Sequence, residues 1–348
     1  MWSIWSYAPE TVPMRAVFAF VTTLVFSLLC GGKFISFLRA HEHGGQPIRD
    51  DGPKSHIEAK KGTPTMGGIL ILATSILSIL LFANIKQHFV WISLLVLIIF
   101  GATGFADDYV KVKKQTPNAM TAKMKLFIQF MVAVLAVNVI TAATPNSTKT
   151  LLYIPYFHWS LQLSWTYLLF ALVVISGASN AVNLSDGLDG LAGGMLAIVF
   201  SVFMVFAFVT GYPVFSDTSI PYIPKSAEIA VVCAALTGGC IGFLWFNLKK
   251  ARVFMGDTGS LALGAVLGVM AVILKHEIIL AIAGVVFVAE TVSVMIQVIY
   301  FKKTGKRFFK MAPIHHHFEQ LGWSETKVVY TFWAITLGAS LVALLNII

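Results

Sequence analysis

The sequence predicts an all-α, polytopic integral membrane protein of about ten transmembrane helices, and composition, apolar runs and the placement of basic residues carry that prediction. Of 348 residues, 57% are hydrophobic and 12% charged, half the roughly 25% charged fraction usual in a soluble domain. The mean hydropathy is +0.81. The apolar residues concentrate in runs, and a bilayer takes roughly 20 such residues to span, about 17 at the shortest.

Taken in order, the runs are 16–30, 69–83, 90–106, 127–143, 167–175, 195–210, 229–246, 261–274, 278–289 and 328–348. Most reach spanning length once flanking Gly, Ser and Thr are counted. The fifth and ninth are the most weakly defined. The first is too long for a signal-peptide core and lacks a small-residue cleavage site, so it reads as a retained helix. Residues 1–348 read as a single transmembrane domain with no internal repeat, which leaves an inverted-repeat transporter without support. Cys30, Cys233 and Cys240 all fall in apolar runs without metal-like spacing and read as small buried hydrophobes.

Loops taken alternately divide the Lys and Arg unequally. Nineteen fall on one side, within 39–61, 111–125, 249–252 and 302–327, against five on the other (Arg15, Lys86, Lys149, Lys225 and Lys275). The basic side is expected to be cytoplasmic, which with an even number of spans puts both termini on the outer side. The net charge of +9 is then a surface facing anionic lipid and needs no nucleic-acid partner.

Against that basic side stand five carboxylates where cytoplasmic loops meet helices: Asp107, Asp108, Asp186, Asp189 and Asp257. Carboxylates at mid-bilayer cost roughly 2.5–3.5 kcal/mol, and less near the interface, so a cluster at one mouth points to a site. On a continuing helix Asp107 and Lys111 share a face, while adjacent Asp108 diverges by about 100°. In Asn180-Ala-Val-Asn183-Leu-Ser-Asp186-Gly-Leu-Asp189-Gly190 the two Asn are three apart, as are the two Asp, and the glycines admit close approach of a phosphate or ribose. Asp257, in Phe254-Met-Gly-Asp257-Thr-Gly-Ser260, can either cap the following helix or, at its positive end, serve a phosphate or a magnesium ion. His315, His316 and His317 make a poor metal site, because consecutive side chains diverge, and fit better as hydrogen-bond donors to phosphate. With Lys60, Lys111 and Lys123 they would surround a pyrophosphate with cationic groups. Clustered Asp, Lys and His of this kind suit phosphoryl transfer, in which positioning and charge neutralisation dominate.

On these residues the chain resembles the polyprenyl-phosphate N-acetylhexosamine-1-phosphate transferases. The resemblance runs nearly end to end, through Gly62-Thr-Pro-Thr-Met-Gly-Gly68, Asp107-Asp108-x-x-Lys111, the 180–190 segment, Val253-Phe-Met-Gly-Asp-Thr-Gly-Ser260 and Met311-Ala-Pro-Ile-His-His-His-Phe-Glu319. The triple His after Ala-Pro-Ile marks the muramoyl-pentapeptide branch. The chain departs from the usual pattern at Lys250-Ala251, where Pro normally precedes Ala, and at Ala119-Met120, where Gly-Leu is usual.

The resemblance implies transfer of phospho-N-acetylmuramoyl-pentapeptide from its UDP donor to undecaprenyl phosphate, dependence on Mg²⁺, and ten helices around a cytoplasmic-facing cleft in the bacterial inner membrane. It also implies roles. Asp257 is the first candidate Mg²⁺ ligand, with Asp107 and Asp108 as further candidates. Asp107 would act as base toward the lipid phosphate, with Asp108 in support. Lys60, Lys111, Lys123 and His315 would handle phosphates. Asn180, Asp186 and Asn247 would line the nucleotide end, with Phe254 against uracil, and Asn183, Asp189, His316 and His317 are further substrate-binding candidates. Membrane lipid is an expected partner, and self-association is left open. Rival readings are a sister transferase using UDP-N-acetylglucosamine and a transporter, which would carry its carboxylates at mid-helix, whereas here they crowd one mouth with Glu290 as the main exception.

Overall fold

The computed structural model describes residues 9–42, 62–116, 119–157, 159–215, 220–248 and 250–347. Among them are α1 (Val12–His41), α2 (Gly68–Phe82), α3 (His88–Lys114) and α4 (Ala122–Ala143). A short antiparallel hairpin follows, β1 (Leu151–Ile154) and β2 (Trp159–Gln162), which the sequence reading leaves as an outer loop. Then come α5 (Thr166–Ser185), α6 (Leu191–Gly211), α7 (Ile229–Asn247), α8 (Gly256–Leu274), α9 (Glu277–Ala283), α10 (Val285–Thr304), α11 (Ile314–Gln320) and α12 (Glu325–Leu344). Nine helical stretches among the described residues are long and apolar enough to cross a membrane, and α2, with 15 residues, is a shorter apolar helix. The protein is a multi-pass, all-α membrane protein.

Local chemistry sets several boundaries. Thr121 starts α4 by accepting the Met124 amide, and Ser324 starts α12 by accepting that of Lys327. Gly305, in the left-handed conformation at φ 69°, ends α10. The fifth span is a full helix because Gly177, Asn180 and Asn183 continue it beyond the apolar run. The ninth is broken at Gly284 into α9 and α10, and α10 runs on to Thr304. Its apolar run looks short because Glu290 interrupts it, but that carboxylate is buried against His315, at 3.0 Å from Nδ1.

Nearly all of α8 is buried, and α7 almost as completely, whereas α1, α4, α10 and α12 bury only one side. A helix apolar all round belongs at the centre of a bundle, and a one-sided one at its lipid-facing rim. Centrally, α8 packs on α3 and α5 while α7 packs on α1, α2 and α6. A Cβ on Gly104 would stand 2.1 Å from the Asp257 carbonyl oxygen, so α3 and α8 meet backbone to backbone beside the acidic residues.

At that same end, segment 64–68 lies along 254–255. Phe254 N–H donates to Pro64 O (2.8 Å), Gly67 N–H to Phe254 O (2.8 Å) and Gly68 N–H to Met255 O (2.9 Å). At the opposite end Arg15 donates to both Glu228 oxygens (2.9 and 2.6 Å) and to Phe82 O (2.9 Å), joining the ends of α1, α2 and α7.

Candidate active site

The C-terminal part of α3, the first turns of α4 and α8 and the last turns of α5 converge on one cluster. Asp107 and Lys111 share a helix face as their spacing requires, with Nζ 2.6 Å from Asp107 Oδ2. Lys111 also lies 3.1 Å from Asp257 Oδ2. Lys125, from the first turn of α4, reaches the same two oxygens at 2.7 and 2.6 Å. Asp107 Oδ1 accepts the Met120 amide at 2.8 Å, so the atypical Ala119-Met120 pair still closes over the carboxylate.

Asp108 diverges from its neighbour and does a different job. Its oxygens accept Asp257 N–H (3.2 Å), Thr258 N–H (2.9 Å) and the Thr258 hydroxyl (2.8 Å). Those amides open α8 and lack intrahelical acceptors. The cap that the sequence offers to Asp257 therefore comes from Asp108, across the α3–α8 contact. The Asp257 carboxylate is left for other partners, its Oδ1 accepting from Asn183 Nδ2 at 2.9 Å, and Asn183 also donates to Ser260 Oγ at 2.8 Å.

Asp107, Asp108 and Asp257 present oxygens all within 4.8 Å of one another. Hard carboxylate oxygens in such a group suit Mg²⁺, which takes one or two carboxylates with phosphates and water completing its shell. Asp257 is the most open of the three, with its side chain 15% exposed against 1% for Asp107 and 0% for Asp108. Lys111 and Lys125 already share the oxygens of Asp107 and Asp257, so a cation binding here competes with two ammonium groups.

Of the remaining expected residues that are described, none joins this cluster, and several build the walls beside it. Lys123 is exposed and outside the cluster, whereas Lys125, two residues on, occupies it. Both lysines lie in the first turn of α4, where a cation is disfavoured, so helix position alone does not separate them; the contact of Lys125 with Asp107 and Asp257 does. Lys60 lies outside the described residues. Asn180 donates to Gln129 Oε1 (2.8 Å), tying α5 to α4. Asp186 ends α5. Asp189 Oδ2 accepts the Ala251 amide (2.8 Å), while its own amide donates to Glu325 (2.7 Å). Asn247 accepts Gly190 N–H and donates to Val253 O, both at 2.8 Å. These bonds hold loops 186–190 and 248–254 together as one wall. Phe254 joins that wall through its backbone, with its ring half-buried.

The three histidines face three partners, as divergence of neighbouring side chains requires. His315 pairs with Glu290, His316 Nδ1 lies 2.7 Å from Glu319, and His317 Nδ1 accepts the Lys310 amide at 3.1 Å. His315 is fully enclosed beneath loop 186–190, where a Cβ on Gly187 would stand 2.3 Å from its Nε2.

Sequence reasoning also missed Glu42, which follows α1. Its Oε2 accepts the Thr65 amide at 2.9 Å, fastening segment 64–68 beside the cluster. Burial pushes the Glu42 carboxyl up to about 7; the Thr65 amide opposes that rise and the charge of Asp108 adds to it.

The glycosyl transferase family 4 model matches residues 90–275, and the phospho-N-acetylmuramoyl-pentapeptide-transferase signature 1 matches 60–72. The chain is 49% identical to the phospho-N-acetylmuramoyl-pentapeptide-transferase of Rickettsia rickettsii (strain Sheila Smith) over 336 residues, covering 96% of this chain and 92% of the relative. Proteins of the same name from Rickettsia africae (strain ESF-5) and Rickettsia prowazekii (strain Madrid E) are each 48% identical over the same shares.

Proposed function

Since the chain belongs to the phospho-N-acetylmuramoyl-pentapeptide-transferase family, within glycosyl transferase family 4, we propose that it moves phospho-N-acetylmuramoyl-pentapeptide from UDP-N-acetylmuramoyl-pentapeptide to undecaprenyl phosphate, leaving lipid I and UMP. The observation that carries this reading is the group Asp107, Lys111, Lys125 and Asp257, in which carboxylates and ammonium groups meet at one end of a membrane bundle. The enzyme sits in the bacterial inner membrane with that end, the basic one, toward the cytoplasm, where a soluble nucleotide donor arrives.

The acceptor arrives by another route. Between α5, α8, α9 and α10 lies an apolar cavity of about 240 Å³ lined by Val174, Ala178, Val182, Leu267, Phe287 and Val288. Val182 borders it, and the next residue, Asn183, holds Asp257. A prenyl chain lying there would bring its phosphate to the carboxylates without leaving apolar surroundings.

Asp257, with Asp107 and Asp108 behind it, would hold Mg²⁺, which when bound neutralises the developing charge on the leaving phosphate. Asp107 accepts any proton remaining on the acceptor phosphate. Lys111 and Lys125 swing from carboxylate to phosphate oxygens, and Asp108 keeps α8 in register against α3. An acceptor oxygen bonds to the sugar-bearing phosphorus, the bond to the bridging oxygen breaks, and its electron pair departs on UMP. Inversion at that phosphorus in a chiral-phosphate assay is expected; retention would indicate an intermediate on an Asp side chain instead.

UMP release by the detergent-purified protein with undecaprenyl phosphate and Mg²⁺ tests the whole reading. Release with the muramoyl-pentapeptide donor alone supports it. Release with UDP-N-acetylglucosamine alone would move the enzyme to a different pathway, and silence with both from folded protein would overturn it.

A further inference from the structure

The hairpin at the far end of the bundle carries large aromatic side chains that nothing in the fold covers. Phe157, Trp159, Leu161 and Trp165 are all exposed, Trp159 at 68% and Trp165 at 73%. Cross-strand partners share a face of a sheet, and Leu152 pairs with Leu161 while Ile154 pairs with Trp159. One face of the hairpin is therefore apolar and outward. The other buries Leu151 and Tyr153 against the protein. No Asp, Glu, Lys or Arg occurs from Thr150 through Ser185. An uncharged aromatic surface of this size is unusual against water and marks an interaction face.

The height of the hairpin follows from the helices that hold it. Trp165, Leu169 and Val173 recur every four residues along α5, and all are exposed, Val173 at 70%. That stripe on a spanning helix faces lipid. The 20 residues of α5 extend about 30 Å, the thickness of the hydrocarbon core. With its other end at the carboxylate cluster, Trp165 falls at the opposite boundary of the membrane. Only residues 163–165 separate α5 from β2.

The turn of the hairpin is fastened at the same level. Tyr156 donates its hydroxyl to Val342 O (2.9 Å), inside the last turn of α12, and its amide to Asn346 Oδ1 (2.8 Å). Val342 is about 26 Å along α12 from Glu325, at 1.5 Å per residue. Both ends of the hairpin are thus pinned at the membrane boundary, so it cannot stand away into water.

We propose that β1–β2 lies flat on the outer membrane interface, with Phe157, Trp159, Leu161 and Trp165 seated between lipid headgroups and the first acyl carbons. Tyr and Trp favour this layer because their rings are apolar and their polar edges find headgroups and water. The surface carries no charge, so it takes zwitterionic and anionic lipid alike. It continues the lipid-facing stripe of α5 around the outer ends of α5 and α12. Lys275 adds a bond from the end of α8 to Lys149 O (2.9 Å) at the base of the hairpin, which links three spanning helices to one interfacial anchor.

The full chain reconstituted in phosphatidylcholine vesicles tests this, with bromine on the acyl chains either near the headgroup or near the chain end. Trp emission is compared for the native chain, Trp159→Phe and Trp165→Phe, each checked for an unchanged thermal midpoint. The emission lost with each substitution is expected to be at least half quenched by the shallow bromines, less by the deep ones, and little by aqueous iodide. Substituting half the lipid with phosphatidylglycerol should leave this unchanged. Quenching by iodide but not by bromolipid would place the hairpin in water. Shielding from both quenchers would place it under another protein or a second copy. Either result overturns the proposal, as would a requirement for anionic lipid.

Discussion

Lys125 Nζ stands 2.6 Å from Asp257 Oδ2, closer than Lys111, at 3.1 Å, comes to the same oxygen. An ammonium group shared by Asp257 and Asp107 offsets part of the cluster's charge while substrate is absent and is poised to meet a phosphate when it arrives. Lys125→Met should lower kcat/KM for UMP release at least about tenfold, the usual scale for losing a positioned charge-stabilising group. It should also tighten Mn²⁺ binding, read by the loss of free-ion EPR signal without substrates, because a competing cation is gone. Lys123→Met, altering an exposed side chain, should change either quantity less than about threefold. Equal effects of the two substitutions would remove Lys125 from the site.

The bundle was legible in the sequence because lipid imposes a rule that every span must obey, and runs such as 90–106 and 229–246 obey it openly. The acidic residues of the site were legible for the same reason, since carboxylates among apolar runs need a purpose. Pairing across helices was not. Nothing in the spacing of 107–108 and 257 says that Asp108 caps α8 while Asp257 stays open, because that depends on the backbone contact at Gly104. Glu42 carries no signal in the sequence, because its burial against Thr65 depends on how segment 64–68 returns to the end of α1. Glu290 truncated the ninth span on paper, because its partner His315 lies 25 residues away. The hairpin 151–162 was hidden by its composition, which matches that of a membrane-edge loop.

Asp108 and Asp257 separate stability from chemistry. Asp108→Ala removes three acceptor contacts from the start of α8, at a cost of about 1–2 kcal/mol by analogy with lost helix caps, and should lower the thermal midpoint in detergent. Asp257→Ala leaves Lys111 and Lys125 still paired with Asp107, so its midpoint should stay near the native value. Both should lose at least about a hundredfold in UMP release. A midpoint that falls further for Asp257→Ala than for Asp108→Ala would reverse the assignment.

Glu42 makes stability depend on pH in a direction opposite to that of most paired carboxylates. Its folded pKa is about 7, raised from the usual 4.5. Between those values the folded chain holds a proton that the unfolded chain has released, so this group's contribution falls as pH rises and levels off above about 7. Gln at this position still accepts the Thr65 amide and carries no charge. Glu42→Gln should therefore match the native chain near pH 4.5 and exceed it in thermal midpoint at about pH 8. A gap that narrows as pH rises would show that Glu42 is held as a stabilised anion instead.

Gly187 and His315 are coupled by shape. A methyl at Gly187 would stand 2.3 Å from His315 Nε2, and the ring is enclosed with its Nδ1 bound to Glu290, so either the ring leaves Glu290 or loop 186–190 lifts. Overpacking of this kind costs about 1–3 kcal/mol. Lifting the loop also strains the Asp189–Ala251 and Gly190–Asn247 bonds that shape the wall of the site. Gly187→Ala should therefore lower both the thermal midpoint and kcat/KM. His315→Ala leaves Glu290 buried without its partner and should also lower the thermal midpoint, at a cost of about 1–3 kcal/mol for a buried polar group left unsatisfied. With the ring absent, however, the methyl has room. The double variant should be less destabilised than the two single effects added together, by about 1 kcal/mol or more. Strict additivity would mean that the loop adapts without touching His315, and that the histidine does not support this wall.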